Sequence, residues 1–244
     1  PGRGIQMKKI LFATSEAVPF IKTGGLADVA GSLPKCFDKK YFDIRVILPK
    51  YACMKQEWKD KMEYVTHFYM DLGFKNCYVG IMQMQYDGIQ FYFIDNEYYF
   101  SGPKPYDSAP WDLEKFAYFS KAALTMLCVI DFRPDIIHCH DWQTGLIPVY
   151  LKNEFQADSF YWGMKSIITI HNLKFQGVWD VKTMKGLTGF SADLFAPDKL
   201  EAYKDANFLK GGIVFKLAEL CQGVVHFDIG FQGHRRLFQY FLSL

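Results

Sequence analysis

Three short stretches of the chain carry polar residues of types and spacings that a hydrophobic core does not ask for. The first runs Lys22, Thr23, Gly24, Gly25, Leu26, Ala27, Asp28, Val29. Two successive glycines allow close backbone approach, and a helix starting there aims unpaired amides and its positive dipole end at whatever lies in front. That favours a phosphate, with Lys22 as a mobile point charge. The plainer alternative is a flexible turn beside a solvated lysine. Asp28 falls in the first helical turn, where a carboxylate is favoured by the dipole whatever the function. A functional Asp28 would repel a diphosphate and should therefore face sugar or acceptor hydroxyls.

The second stretch is His138, Cys139, His140, Asp141, Trp142, Gln143, Thr144, Gly145. Residues two apart in a strand share a face, so His138 and His140 could bind one metal ion. No further His or Cys stands at ligand spacing. His140 could instead hydrogen-bond a sugar hydroxyl, or be a satisfied core histidine, and Asp141 occupies a helix N-cap position. The third stretch, Thr169, Ile170, His171, Asn172, Leu173, Lys174, Phe175, Gln176, Gly177, ends in a row of neutral donors and acceptors. Such a row suits a polyhydroxylated ligand, although Asn172 could equally turn the chain and Gln176 could lie on the surface. The aromatic residues Phe91, Tyr92, Phe93, Tyr98, Tyr99, Phe100 and Tyr106 are expected mostly to pack a core, with a sugar-stacking platform as the alternative. Neither G-x-x-x-x-G-K-[ST] nor G-x-G-x-x-G occurs, which counts against P-loop and dinucleotide-binding readings.

These stretches need elements to hold them. Lys9 to Thr14 reads as a buried strand, Leu26 to Phe37 as a helix and Asp43 to Leu48 as a second strand, together a βαβ unit. From Glu63 to Asn96 the pattern predicts several short strands, with Asp87-Gly88 as a hairpin turn. Helices are predicted over Leu113 to Ile130, Asp141 to Lys152 and Asn207 to Leu220, and strands over Asp135 to His140 and Ser166 to Ile170. The expected fold is α/β, a Rossmann-like doubly wound parallel sheet with an inserted antiparallel β excursion. In such sheets ligands sit beyond the carboxyl ends of the strands, so the loops after Thr14, His140 and Ile170 should carry the function.

The chain has 244 residues, half of them hydrophobic and 18% aromatic, which excludes intrinsic disorder. A net charge of +2 without long single-sign runs argues against a nucleic-acid footprint, and no apolar stretch approaches the ~20 residues of a membrane span. Cys36, Cys53, Cys77, Cys128, Cys139 and Cys221 have no regular spacing and read as reduced thiols of a cytoplasmic protein. Residues 1–6 are expected to be a remnant ahead of a natural start at Met7, and lack the apolar region of a signal peptide.

In this order the motifs resemble the bacterial glycogen synthase and starch synthase family of retaining glucosyltransferases. Lys22 to Val29 is similar to that family's K-T-G-G-L-A-D-V, His140-Asp141-Trp142 to its H-D-W, and Thr169 to Gly177 to its T-x-H-N-L-x-[YF]-Q-G. Phe208 to Ile213 is similar to F-L-K-x-G-[IL], and Phe93 to Asn96 matches the end of its inserted sheet. The resemblance implies the N-terminal half of a GT-B glycosyltransferase. It implies a catalytic set of His140, Asp28 and Lys22, nucleotide-sugar contacts at Lys22, Gly24 and Gly25, and sugar or glucan contacts at His171, Asn172 and Gln176. The implied donor is ADP-glucose or UDP-glucose and the implied acceptor an α-1,4-glucan, with no cofactor and no metal. The matching domain is expected over 7–222, with 223–244 as an atypical tail and the second GT-B domain absent, so that this chain alone should be inactive. A glucan- or nucleotide-binding module without turnover, and a metal-dependent hydrolase built on His138 and His140, are the alternatives.

Overall fold

The computed structural model describes residues 7–215. Residues 1–6, the 223–244 tail, Cys221 and the end of the helix expected over Asn207 to Leu220 lie outside the described residues. In chain order the elements are β1 (Lys8–Ala13), α1 (Gly25–Ser32), β2 (Phe42–Pro49), the short helix α2 (Gln56–Lys59), β3 (Glu63–Leu72), β4 (Lys75–Tyr86), β5 (Ile89–Asp95) and the single turn α3 (Glu97–Phe100). There follow α4 (Trp111–Val129), β6 (Ile136–His140), α5 (Leu146–Asn153), β7 (Lys165–Thr169), β8 (Val178–Asp180), α6 (Val181–Thr188), β9 (Glu201–Ala202), β10 (Asp205–Asn207) and α7 (Phe208–Val214).

Seven strands form one sheet in the order β3-β4-β5-β2-β1-β6-β7. β5, β2, β1, β6 and β7 pair in parallel, while β4 is antiparallel to both β3 and β5. β4 alone therefore runs against the other six. The expected antiparallel excursion is present and extends the main sheet: β3, β4 and β5 pair antiparallel in turn, and β5 adds its edge directly to β2. The turn between β4 and β5 has Asp87 at φ 48° and Gly88 at φ 73°, the left-handed pair that a two-residue hairpin requires.

The central strands are buried on both faces, as parallel strands between helical layers must be: Leu11, Phe12 and Ala13 in β1, and Val46, Ile47 and Leu48 in β2, are wholly inaccessible. α4, with Phe116, Phe119, Leu124 and Leu127 also inaccessible, lies at the centre of one layer. Of the aromatic residues from the 91–106 region, Phe91, Phe93, Tyr99 and Phe100 belong to this core, whereas Tyr98 is exposed. The helix expected over Leu26 to Phe37 stops at Ser32 and continues as a 3-10 turn over Leu33–Cys36, since Pro34 has no amide hydrogen to donate. Among the described residues no helix is long and apolar enough to cross a membrane.

The strand order reverses at β1, which lies between β2 and β6. At such a switch point the loops leaving neighbouring carboxyl ends diverge and open a crevice. The loops following β1, β6 and β7 meet there.

Candidate active-site cleft

The loop after β1 is organised by a buried carboxylate that sequence reasoning overlooked. Glu16, only 3% exposed, accepts a hydrogen bond from the backbone amide of Thr23. Burial pushes its carboxyl above the usual range, opposed by hydrogen bonds from Thr23 and Gly24. The carboxylate thus holds the glycine-rich turn at the start of α1. Gly24, the N-cap of that helix, has no side chain with which to cap it. Beside this turn Ser15 Oγ lies 2.7 Å from the Tyr106 hydroxyl, and Tyr51 donates to the Ser15 carbonyl at 2.8 Å.

Lys22 and Asp28 face each other across the same turn, the ammonium donating to both carboxylate oxygens at 2.7 Å. Both side chains are about half exposed, at 53% and 54%. The lysine expected to meet a phosphate is here neutralised by the aspartate expected to avoid one.

The end of β6 departs from the sequence reading. Asp141 does stand at an N-cap position, but that of a 3-10 turn, with φ 59° and no capping hydrogen bond from its side chain. A 3-10 turn over Trp142–Thr144 intervenes before α5, so the helix expected from Asp141 to Lys152 begins only at Leu146. The Asp141 carboxylate instead crosses to the next loop and accepts from the backbone amides of His171 at 2.7 Å and Asn172 at 3.2 Å. Burial raises its pKa to about 6, with the two amide bonds pulling the other way. The local tie at the strand end is made by Thr144, whose hydroxyl accepts from the His140 amide at 2.7 Å and donates back to the His140 carbonyl at 2.9 Å.

Three histidines stack along these strand ends. His138 lies 4.2 Å from His140 between ring centroids, and His140 lies 5.2 Å from His171. His140 Nδ1 is 2.9 Å from His171 Nε2, and His138 Nε2 is 2.7 Å from Thr169 Oγ1. Burial lowers His138 to about 4 and drives His140 well below the usual imidazole range, each pushed further by neighbouring histidines. His138 Nε2 is engaged by Thr169 and His140 Nδ1 by His171, so the stacked rings turn these nitrogens to different partners and not to one metal ion. Among the described residues no group of three or more His, Cys, Asp or Glu is placed to hold one.

A cleft of about 910 Å³ opens over these loops. Of the residues singled out in the sequence, Gly24, Gly25, His171, Asn172 and Gln176 line it, while Lys22, Asp28 and His140 do not. His140 is fully buried with Nε2 unpartnered, beneath the wall that His171 forms. Gln176 braces its own loop, donating to the Leu173 carbonyl at 3.1 Å and accepting from Asn207 Nδ2 at 2.7 Å. Asn172 turns the chain by accepting from the Lys174 amide at 3.0 Å. Glu16, Tyr106, Asp107, Asp112, Asp141 and Gln143 add to the polar lining. Gln143 Oε1 is buried and without a hydrogen-bond partner, an acceptor free for a ligand hydroxyl. Asp107 and Asp112 are tied to the inaccessible ammonium of Lys115 at 2.8 and 3.0 Å, which fixes the cleft-lining loop that also carries Tyr106. Lys174 is the one lysine or arginine among the residues lining the cleft. The wall is therefore rich in hydrogen-bond acceptors and poor in positive charge.

The signal that could have found Glu16 is a carboxylate within an otherwise small and apolar loop, Ser15-Glu16-Ala17, directly after a buried strand. Asp107 and Asp112 carry no comparable local signal, because their place is set by contact with Lys115.

Residues 9–218 match the family described as starch synthase catalytic domain. The chain is similar to a glycogen synthase of Lachnoclostridium phytofermentans, 65% identical over 209 residues, covering 86% of this chain and 44% of the relative. A glycogen synthase of Lachnospira eligens is 64% identical over the same shares. The chain thus spans under half the length of these relatives. Among solved structures, the catalytic domain of starch synthase IV from Arabidopsis thaliana, bound to ADP and acarbose, superposes with a TM-score of 0.76 at 28% identity, covering 86% of this chain and 43% of that one.

Proposed function

The chain belongs to the starch synthase catalytic domain family, and from that we propose that it forms the N-terminal wall of the active site of a glycogen or starch synthase. The intact protein would transfer glucose from ADP-glucose or UDP-glucose to the non-reducing end of an α-1,4-glucan, retaining the anomeric configuration. In that transfer the anomeric carbon exchanges its bond to the diphosphate for one to an acceptor hydroxyl oxygen. The diphosphate leaves with the electron pair and the acceptor loses its proton. No cofactor beyond the sugar donor is required on this reading, and the setting is cytoplasmic.

The observation that carries the reading is the cleft at the switch point of the sheet, lined by the polar groups of Gln143, His171, Asn172 and Tyr106, with Glu16, Asp107, Asp112 and Asp141 as acceptors. Sugar hydroxyls donate to such a wall, whereas a diphosphate is repelled by it. The wall therefore suits the sugar and the acceptor glucan. The diphosphate would meet the Gly24-Gly25 turn at the start of α1, with Lys22 exchanging Asp28 for a phosphate oxygen. The remaining cations that stabilise the leaving group would come from the part of the protein that this chain does not span. His140, buried behind His171 with Nε2 unpartnered, would reach the donor glucose only if the wall opened.

The test is glucose transfer by the intact protein carrying this chain, from radiolabelled ADP-glucose and UDP-glucose to glycogen. Label in the polymer, released by an α-1,4-specific glucosidase, supports the reading. Binding of glucan and nucleotide without transfer supports the binding module instead.

A further inference from the structure

The outer face of the β3-β4 hairpin, at the edge of the sheet, carries a row of aromatic side chains that the cleft does not use. Tyr64, Tyr69 and Tyr78 are 58%, 62% and 36% exposed, and His67 between them is exposed as well. In an unbroken strand Tyr64 and His67, three residues apart, would point to opposite faces. The β3-β4 register shifts between Tyr64 and Thr66, which leaves Tyr64 opposite Met82, His67 opposite Gly80 and Tyr69 opposite Tyr78. Since Tyr78, Gly80 and Met82 alternate along β4, the bulge places all four aromatic rings on one face.

These rings are ordered among themselves. The Tyr64 hydroxyl lies 2.6 Å from His67 Nδ1, His67 stacks on Tyr78 with centroids 5.5 Å apart and 25° between planes, and Tyr69 meets Tyr78 edge-on at 5.8 Å. Gly80 makes room for this: a Cβ there would stand 3.0 Å from the Tyr78 hydroxyl and 3.2 Å from Asp95 Cβ. Beside it Lys50 pairs with Asp95 at 3.2 Å, both partly exposed, so the row is flanked by polar groups whose charges cancel. Asp95 ends β5, which brings the row to the end of the sheet on which the cleft opens.

We propose that Tyr64, His67, Tyr69 and Tyr78 form a second, non-catalytic platform that holds an α-glucan chain outside the cleft. The chemistry selects that ligand. Phenol and imidazole rings set against a flat sheet offer stacking faces for the C–H faces of pyranose rings, and their hydroxyls and nitrogens can serve the ring hydroxyls. The row holds no lysine or arginine, and the one carboxylate that continues its face, Asp71, accepts from Asn76, so it offers no cation to a nucleic acid or an anionic lipid surface. A branched polymer gains from such a platform because one held chain raises the local concentration of its neighbours at the cleft. This inference rests on the proposed glucan substrate.

The experiment is affinity electrophoresis of the intact protein through gels containing glycogen, alongside kinetics with a short maltooligosaccharide acceptor. Tyr69→Ala with Tyr78→Ala is expected to weaken glycogen affinity by about tenfold or more and to leave kcat and KM for the short acceptor unchanged. The Tyr69→Phe, Tyr78→Phe variant, which keeps the rings, should stay within about threefold of the parent. Should the double alanine variant fold poorly, Tyr69→Ala alone carries the test, with at least about threefold weakening expected. Unchanged glycogen affinity in the alanine variants would overturn the platform, as would a shift from dimer to monomer on sedimentation, which would make the row a contact between copies. Asn172→Ala serves as the separate check on the cleft: glycogen retention that persists while short-acceptor turnover falls places the two sites apart, and failure of turnover in the parent protein would count against the glucan reading itself.

Discussion

One oxygen of the Asp141 carboxylate, at the end of β6, accepts the backbone amides of both His171 and Asn172 at the end of β7, at 2.7 and 3.2 Å. The contact spans thirty residues of sequence and joins two of the loops that build the cleft. Asp141 is 6% exposed, while His171 is half-buried and Asn172 exposed. Removing the acceptor takes a charged hydrogen-bond partner from both amides, which costs about 1–3 kcal/mol. Asp141→Ala is accordingly expected to lower unfolding free energy in urea by that amount and to weaken sugar binding through displacement of His171. A loss of only a few tenths of a kcal/mol would show that the loops hold their positions without it.

The same carboxyl predicts a pH dependence. Burial raises its pKa from 3.8 to about 6 in the folded chain. A raised carboxyl pKa favours the folded state at low pH, and that contribution is lost as pH rises from about 4 through about 6. In Asp141→Asn the titration is absent. The stability advantage of the parent over this variant should therefore shrink between pH 4 and pH 7, by up to about 3 kcal/mol. A difference that stays constant over the range would mean the carboxyl titrates normally.

Lys22 and Asp28 form an exposed pair, and exposed pairs contribute about 0–1 kcal/mol to stability. Either can thus be replaced without unfolding the chain. Asp28→Asn frees the ammonium and is expected to tighten pyrophosphate binding severalfold in a titration at low salt, whereas Lys22→Ala should weaken it. In the intact protein Lys22→Ala should lower kcat by up to about 10²-fold with a smaller effect on KM, as for a donor engaged mainly in the transition state. Unchanged turnover would remove Lys22 from the chemistry.

Gly177 holds the wall of the cleft close to Trp142. Its φ is +66°, and a Cβ there would stand 2.5 Å from Trp142 Cε3. Gly177→Ala combines a left-handed backbone strain with overpacking of a buried indole, so a cost of about 2–4 kcal/mol is expected on denaturation. A neutral substitution would require the 172–177 loop to be free to move.

What the sequence disclosed follows the range of each interaction. The buried strands, the Asp87-Gly88 turn and the position of the three loops rest on patterns spanning a few residues, and the fold carries them. Pro34 was visible as well, and its missing amide explains the early end of α1, but the apolar pattern running on past it masked the break. Asp141 has the residue type and position of an N-cap, yet its carboxylate found stronger partners in a loop thirty residues away. Glu16, the Lys115 tie to Asp107 and Asp112, and the burial of His140 under His171 depend on contacts that no short pattern encodes. The reversed direction of β4 alone depends on which edge β5 joins.

The chain by itself is expected to fold without transferring glucose. Its core is complete in the sense that matters for folding: β1 and β2 are buried on both faces, and the sheet is covered by helices of the same chain. The cleft is complete only for a neutral ligand. Glu16, Asp107, Asp112 and Asp141 line it, Lys115 is spent on Asp107 and Asp112, Lys174 is the one cation of the lining, and Lys22 is held by Asp28. A diphosphate leaving group there gains one further negative charge among carboxylates, in a site open to water where compensating charges act weakly. Each missing preorganised donor costs about 10² to 10³ in rate, and the chain spans only 44% of its relatives. The purified 244-residue chain is therefore expected to bind maltooligosaccharide, seen as shifts of cleft resonances by NMR, and to transfer no measurable glucose from ADP-glucose. Elongation of glycogen by this chain at a rate near that of the intact protein would show that its own residues suffice to stabilise the leaving group.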